Sequence, residues 1–128
     1  MISIPDPARA CAIVPPVEFL DLPAHPGRQV DAFGSTGFTA LGVLRGGSTA
    51  VTLLRVAAGG EIGPHPAVSD QLLVVLAGRG EVRSGDGPWQ PITAGQAVLW
   101  RDGEDHATRA TDDLTALGVE ASDLGQFK

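Results

Sequence analysis

Three side chains, His65, Gln71 and His106, are the residues of this sequence best suited to do chemistry together. Imidazole exchanges a proton near neutral pH, so either histidine could serve as a general acid–base. The amide of Gln71 adds both a donor and an acceptor. A pocket formed by the three could therefore bind a polar small molecule through hydrogen bonds alone. Alternatively, the histidines are bonded only to backbone and do no chemistry. Each sits in a glycine-framed stretch. The first runs Gly59, five residues, His65-Pro66-Ala67, three residues, Gln71, six residues, Gly78. The second runs Gly95, five residues, Arg101-Asp102-Gly103, two residues, His106, three residues, Ala110.

Other residues qualify the picture. Trp100 precedes the second stretch, where it either walls the pocket or packs in a core. Arg55 lies in an apolar run; it reaches inward to bind an anionic ligand group or points outward into solvent. Glu104 and Asp105 flank His106 and are expected to raise its pKa, unless they are only solvated turn residues. Trp89 reads as a surface or interface anchor, His25 as an exposed loop residue, and Asp112-Asp113 as a solvated turn.

Short strands must position these groups. The apolar runs are brief, rich in valine, leucine and threonine, and separated by glycine-bearing turns. Candidate strands cover 17–22, 37–44, 50–57, 71–76, 80–84, 89–93, 97–101, 106–111 and 114–120. Turns are expected at Gly46-Gly47, Gly59-Gly60, Gly78 to Gly80, Asp86-Gly87, Ala94-Gly95 and Asp102-Gly103. Regular spacing without helical periodicity predicts an all-β protein, an antiparallel β-sandwich or small β-barrel. The run 71–76 is apolar on both faces, with Gln71, Leu73 and Val75 on one side and Leu72, Val74 and Leu76 on the other. Such a strand is covered twice. The second cover is either a partner subunit, giving a homodimer, or the chain's own first 22 residues.

Bulk properties narrow the partners. The 128 residues make one domain, read as an N-terminal arm over 1–16 and a barrel over 17–128. A formal charge of −6, with one lysine and eight scattered arginines, disfavours nucleic acid or an anionic membrane. No apolar stretch is long enough to span a bilayer as a helix, and the proline-broken start does not resemble a signal peptide, so a cytoplasmic location is expected. The single cysteine, Cys11, excludes an internal disulfide and has no partner motif. There is no Gly-x-Ser-x-Gly elbow and no phosphate-binding loop.

The two glycine-framed stretches, in order and in register, resemble the paired motifs of small bacterial single-domain cupins of undefined activity. The resemblance implies a jelly-roll barrel. It also implies a divalent metal (Fe, Mn, Ni or Zn) held by two imidazoles and a carboxylate from the first motif and one imidazole from the second. His65, Gln71 and His106 occupy three of those positions. The chain departs at Ala67, where a histidine is usual, at Gln71, where a glutamate is usual, and at Ala110, where an asparagine is usual. Any metal on such a reduced set would be weakly held; the alternative is a metal-free pocket. Two functions follow: a small-molecule-binding cupin, or a metal-dependent isomerase, lyase or dioxygenase acting on a small polar metabolite.

Overall fold

The computed structural model describes residues 16–128; the Cys11 reading and nearly all of the expected N-terminal arm lie outside them. Nine strands build the fold: β1 (Arg28–Val30), β2 (Thr36–Gly46), β3 (Thr49–Pro66), β4 (Asp70–Ala77), β5 (Arg79–Ser84), β6 (Gln90–Thr93), β7 (Ala97–Trp100), β8 (Asp105–Ala110) and β9 (Leu114–Ala121). Every pairing is antiparallel. The architecture is the expected all-β barrel of jelly-roll type, with one wall ordered β1-β2-β3-β9-β4-β7 and the other β3-β8-β5-β6.

The walls share β3. Its first half pairs with β2 and β9, and its second half pairs with β8. The glycine pair Gly59-Gly60 was expected to be a turn, but the strand bends there and continues. Gly59 adopts a φ of 81°, and a Cβ at Gly60 would lie 2.6 Å from the Thr36 carbonyl oxygen. Glycine here permits a close approach between neighbouring backbones instead of reversing the chain. The expected strand over 17–22 is also corrected: that segment is exposed and irregular, leading into a single 3-10 turn at Leu22–Ala24.

Alternation decides what lies inside. On β3, β9 and β4, Val56, Leu114, Ala116, Leu73 and Val75 turn inward and join Phe38, Ile62, Val82, Ile92 and Trp100 in one core. Burying each large aliphatic among them contributes about 1.5–3 kcal/mol. On the opposite face of β4 and its neighbours, Leu72, Val74, Leu99, Leu117 and Val119 are only half-buried, and Leu76 is 53% exposed. Among the described residues no helix is long and apolar enough to cross a membrane.

Candidate functional site

The register explains why distant residues meet. His65 on β3 pairs directly with His106 on β8, across a bulge that follows Ile62. On the other wall, Gln71 on β4 lies between Trp100 on β7 and Glu120 on β9. Paired residues of antiparallel strands share a face. All five side chains consequently line one cavity of roughly 330 Å³, whose remaining wall includes Val30, Phe38, Leu54, Ile62 and Leu73.

The rings form a continuous chain of contacts, stacked at Phe33–His65 and tilted, by 54° and 32°, at the other two pairs. Phe33 lies 4.8 Å from His65 with the planes 15° apart, His65 lies 4.3 Å from His106, and His106 lies 4.6 Å from Trp100. Each imidazole is oriented by a carbonyl two residues earlier: His65 Nδ1 is 2.8 Å from the Gly63 oxygen, and His106 Nδ1 is 3.2 Å from the Glu104 oxygen. A carbonyl only accepts, so Nδ1 donates in both rings. In the neutral form this leaves Nε2 of each as a free lone pair, the tautomer that suits an acceptor, a base or a ligand.

Burial sets the charge of the inner imidazole. His106 is 5% exposed, and its pKa is lowered from the ordinary histidine value, chiefly because the protein withholds water from the cation. The nearby His65 adds a smaller push in the same direction. The Glu104 carbonyl and the Glu104 and Asp105 charges oppose this without overcoming it. The two acids do push the pKa upward, as expected, but burial outweighs them. Desolvation outweighs charges that solvent screens, and Glu104 is occupied elsewhere, accepting from Ser84 Oγ and from the Arg101 backbone N–H.

Arg55 does not line the cavity. It stands on β3 between the inward Leu54 and Val56, on the opposite parity, and its guanidinium reaches the His25 carbonyl at 3.4 Å. The cation that does line it is Arg28 on β1. Glu120 is a second residue missing from the sequence reading: its carboxylate accepts from Gln71 Nε2 at 3.0 Å. A negative charge therefore borders the cavity although Gln71 itself is neutral. Gly118, one step along the same face of β9, leaves space where a side chain would press on Leu54.

Two elements hold this constellation rigid. Asp70, 8% exposed, accepts from the Asp102 and Leu124 backbone N–H groups and from the Arg101 guanidinium. Those bonds, led by the Leu124 N–H, keep its carboxyl below the usual aspartate value. The loop before His106 is thereby clamped to the strand carrying Gln71. Opposite, Phe33 adopts a φ of 58°, a left-handed conformation that costs a bulky residue roughly 1–2 kcal/mol. Ser35 Oγ accepts from the buried Gly63 N–H at 2.9 Å, and Gly63 has no room for a Cβ against the Phe33 carbonyl. The strained turn is thus pinned where its ring meets His65.

The donor set does not fit a metal centre. Among the described residues, no three His, Cys, Asp or Glu side chains converge on a common point. Ala67, where a further imidazole is usual, is 2% exposed, lies outside the cavity lining, and exchanges backbone hydrogen bonds with Gly103 and Glu104. Two imidazoles remain, one short of the usual three-nitrogen set, and Gln71 spends its amide nitrogen on Glu120.

Residues 52–120 match the cupin domain family (Cupin_2). The chain belongs to the cupin family. No curated protein matches it in sequence. Solved cupin-like structures share its fold at low identity. The polyketide cyclase RemF from Streptomyces resistomycificus is 18% identical with a TM-score of 0.72, covering 84% of this chain and 80% of that one. KdgF from Halomonas sp. is 18% identical with a TM-score of 0.71, covering 83% and 95%. A predicted oxalate decarboxylase from Thermotoga maritima is 23% identical with a TM-score of 0.68, covering 75% and 90%.

Proposed function

We propose that this cupin is a small-molecule-binding protein whose barrel pocket recognises its ligand by direct hydrogen bonds instead of through a resident metal. The observation that carries this reading is the pair of imidazoles whose Nδ1 atoms are spent on carbonyls, leaving two Nε2 lone pairs at one end of an apolar-walled cavity. Beside them, Glu120 accepts and the Gln71 carbonyl oxygen remains free to accept. This end is thus rich in acceptors and suits a ligand that presents hydroxyl or N–H donors.

The second reading is enzymatic and rests on a specific feature: His106 is held neutral near pH 7, as a general base must be. RemF and the predicted oxalate decarboxylase lend it precedent of fold only.

Metal analysis of untagged protein, paired with thermal unfolding against a panel of small hydroxylated metabolites, separates the two. We expect substoichiometric metal, a raised Tm with a subset of the panel, and loss of that shift in His65→Ala and His106→Ala. Stoichiometric iron, manganese, nickel or zinc that disappears in the same variants overturns the binding reading and favours a metal-dependent isomerase, lyase or dioxygenase.

A further inference from the structure

The cavity has a second pole. Arg28 lies at the start of β1, in register with Ala40 and, through β2 and β3, with Leu54 and Ala116. It therefore shares the inward face of the wall and borders the cavity, while remaining exposed to solvent. Among the residues lining the cavity it is the only arginine or lysine.

Among the described residues only Arg28 and Arg45 have arginine side chains without a hydrogen bond, ion pair or aromatic contact, and of these two only Arg28 borders the cavity. Arg79, Arg101 and Arg109 each pair with a carboxylate, Arg83 lies over the Trp89 ring, and Arg55 reaches the His25 carbonyl. Among the described residues, no carboxylate or carbonyl engages the Arg28 side chain. In a protein of net charge −6, a fork of guanidinium donors at the entrance to a cavity is an unspent anion site.

Its distance from the other pole defines the ligand. Glu120 lies four residues along β9 from Ala116, the residue in register with Arg28 across β2 and β3. At about 3.4 Å per residue along a strand and about 4.8 Å between strands, the two poles are roughly 15–20 Å apart at the backbone. Two long side chains shorten that gap considerably. Between them the wall is Val30, Phe38, Leu54 and Leu73.

We propose that Arg28 is an anion-recognition residue and that the ligand is an amphipathic monocarboxylate. Its carboxylate meets Arg28, its apolar or aromatic body fills the middle of the cavity, and a donor group reaches His65, His106, Gln71 and Glu120. The charge of Glu120 at the far pole opposes a second anionic group there, which disfavours dicarboxylates. The volume of roughly 330 Å³ equals about eleven waters at about 30 Å³ each, which sets the scale at about a dozen non-hydrogen atoms. This inference rests on the binding reading above and adds the ligand class.

Two matched probes test it: 3-(4-hydroxyphenyl)propanoate and its primary amide, titrated while the imidazole NMR signals of His65 and His106 are followed. With the wild type we expect both probes to shift those signals, the carboxylate with a Kd about tenfold or more lower. Arg28→Gln should erase that preference, and Arg28→Lys should retain part of it, because the charge remains and the fork is lost. Arg28 sits exposed near the end of a three-residue strand, so neither variant threatens the core. Equal Kd values for the two probes, or a preference that survives Arg28→Gln, overturn the role of Arg28 and leave the pocket reading standing. Absence of any imidazole shift with either probe overturns the pocket reading and this inference together.

Discussion

The two tryptophans occupy the inside and the outside of the barrel. Trp100 is 3% exposed and packs inside the barrel against His106, with centroids 4.6 Å apart. Trp89 is half-buried outside, with Arg83 4.7 Å and Arg109 4.1 Å from its ring, and Arg109 is in turn paired with Glu81. Both use an aromatic face to hold a nitrogenous base. Inside, water is excluded, the base is an imidazole, and it stays neutral. Outside, the Glu81 carboxylate and solvent balance the charge of Arg109, so a full cation can lie on the ring. The inner arrangement prepares an uncharged lone pair for a ligand. The outer one fastens β5 and β8 to the segment before β6.

Removing each tryptophan should expose this difference. Trp100→Ala is expected to cost about 3–5 kcal/mol in urea unfolding, because it empties a packed core position, and to abolish the ligand-dependent rise in Tm. A loss no greater than that of Trp89→Ala would end the distinction. Next in size is the pH response of the inner base. Since the pKa of His106 is lowered from 6.5 in the folded protein, the unfolded chain binds more protons just below that value. Stability should therefore be undiminished above about pH 6.5, fall as pH drops through the window beneath it, and level off below the folded pKa. Urea midpoints measured between about pH 7 and 5 should slope in the wild type and flatten in His106→Gln. Asp70 acts in a separate window, since its lowered pKa contributes stability above 3.8 that is lost on further acidification. The smallest effect belongs to the outer ring. Trp89→Ala should cost about 1–2 kcal/mol, consistent with two cation–π contacts and partial burial, and leave the Kd of the carboxylate probe unchanged. A change in that Kd would show that the outside and the inside of the barrel communicate.

Much of the barrel was legible because glycine-bearing turns and period-two alternation report local backbone geometry. The same signal misled at Gly59-Gly60, where glycine accommodates the Thr36 carbonyl inside a continuous strand. His65, Gln71, His106 and Trp100 were legible because short fixed spacings place them on adjacent ends of paired strands. Glu120 was not, as only the β4–β9 register brings it to Gln71 from 49 residues away. Its parity with Leu114, Ala116 and Gly118 was the available clue. Arg28 gave none, since a three-residue strand shows no periodicity. The choice of Arg55 failed on parity: it belongs to the outer set with Leu53, whereas Leu54 and Val56 face inward. The upward push of Glu104 and Asp105 on His106 was legible because they are neighbours in sequence, whereas the burial that outweighs it was not.

One consequence follows from the eighteen-residue span of β3. A single uninterrupted ribbon threads both slabs of the barrel, so they cannot swing apart like the valves of a shell. Ligand exchange is therefore expected to involve the exposed groups at the rim, Arg28 and the Phe33 ring, more than any parting of the two walls.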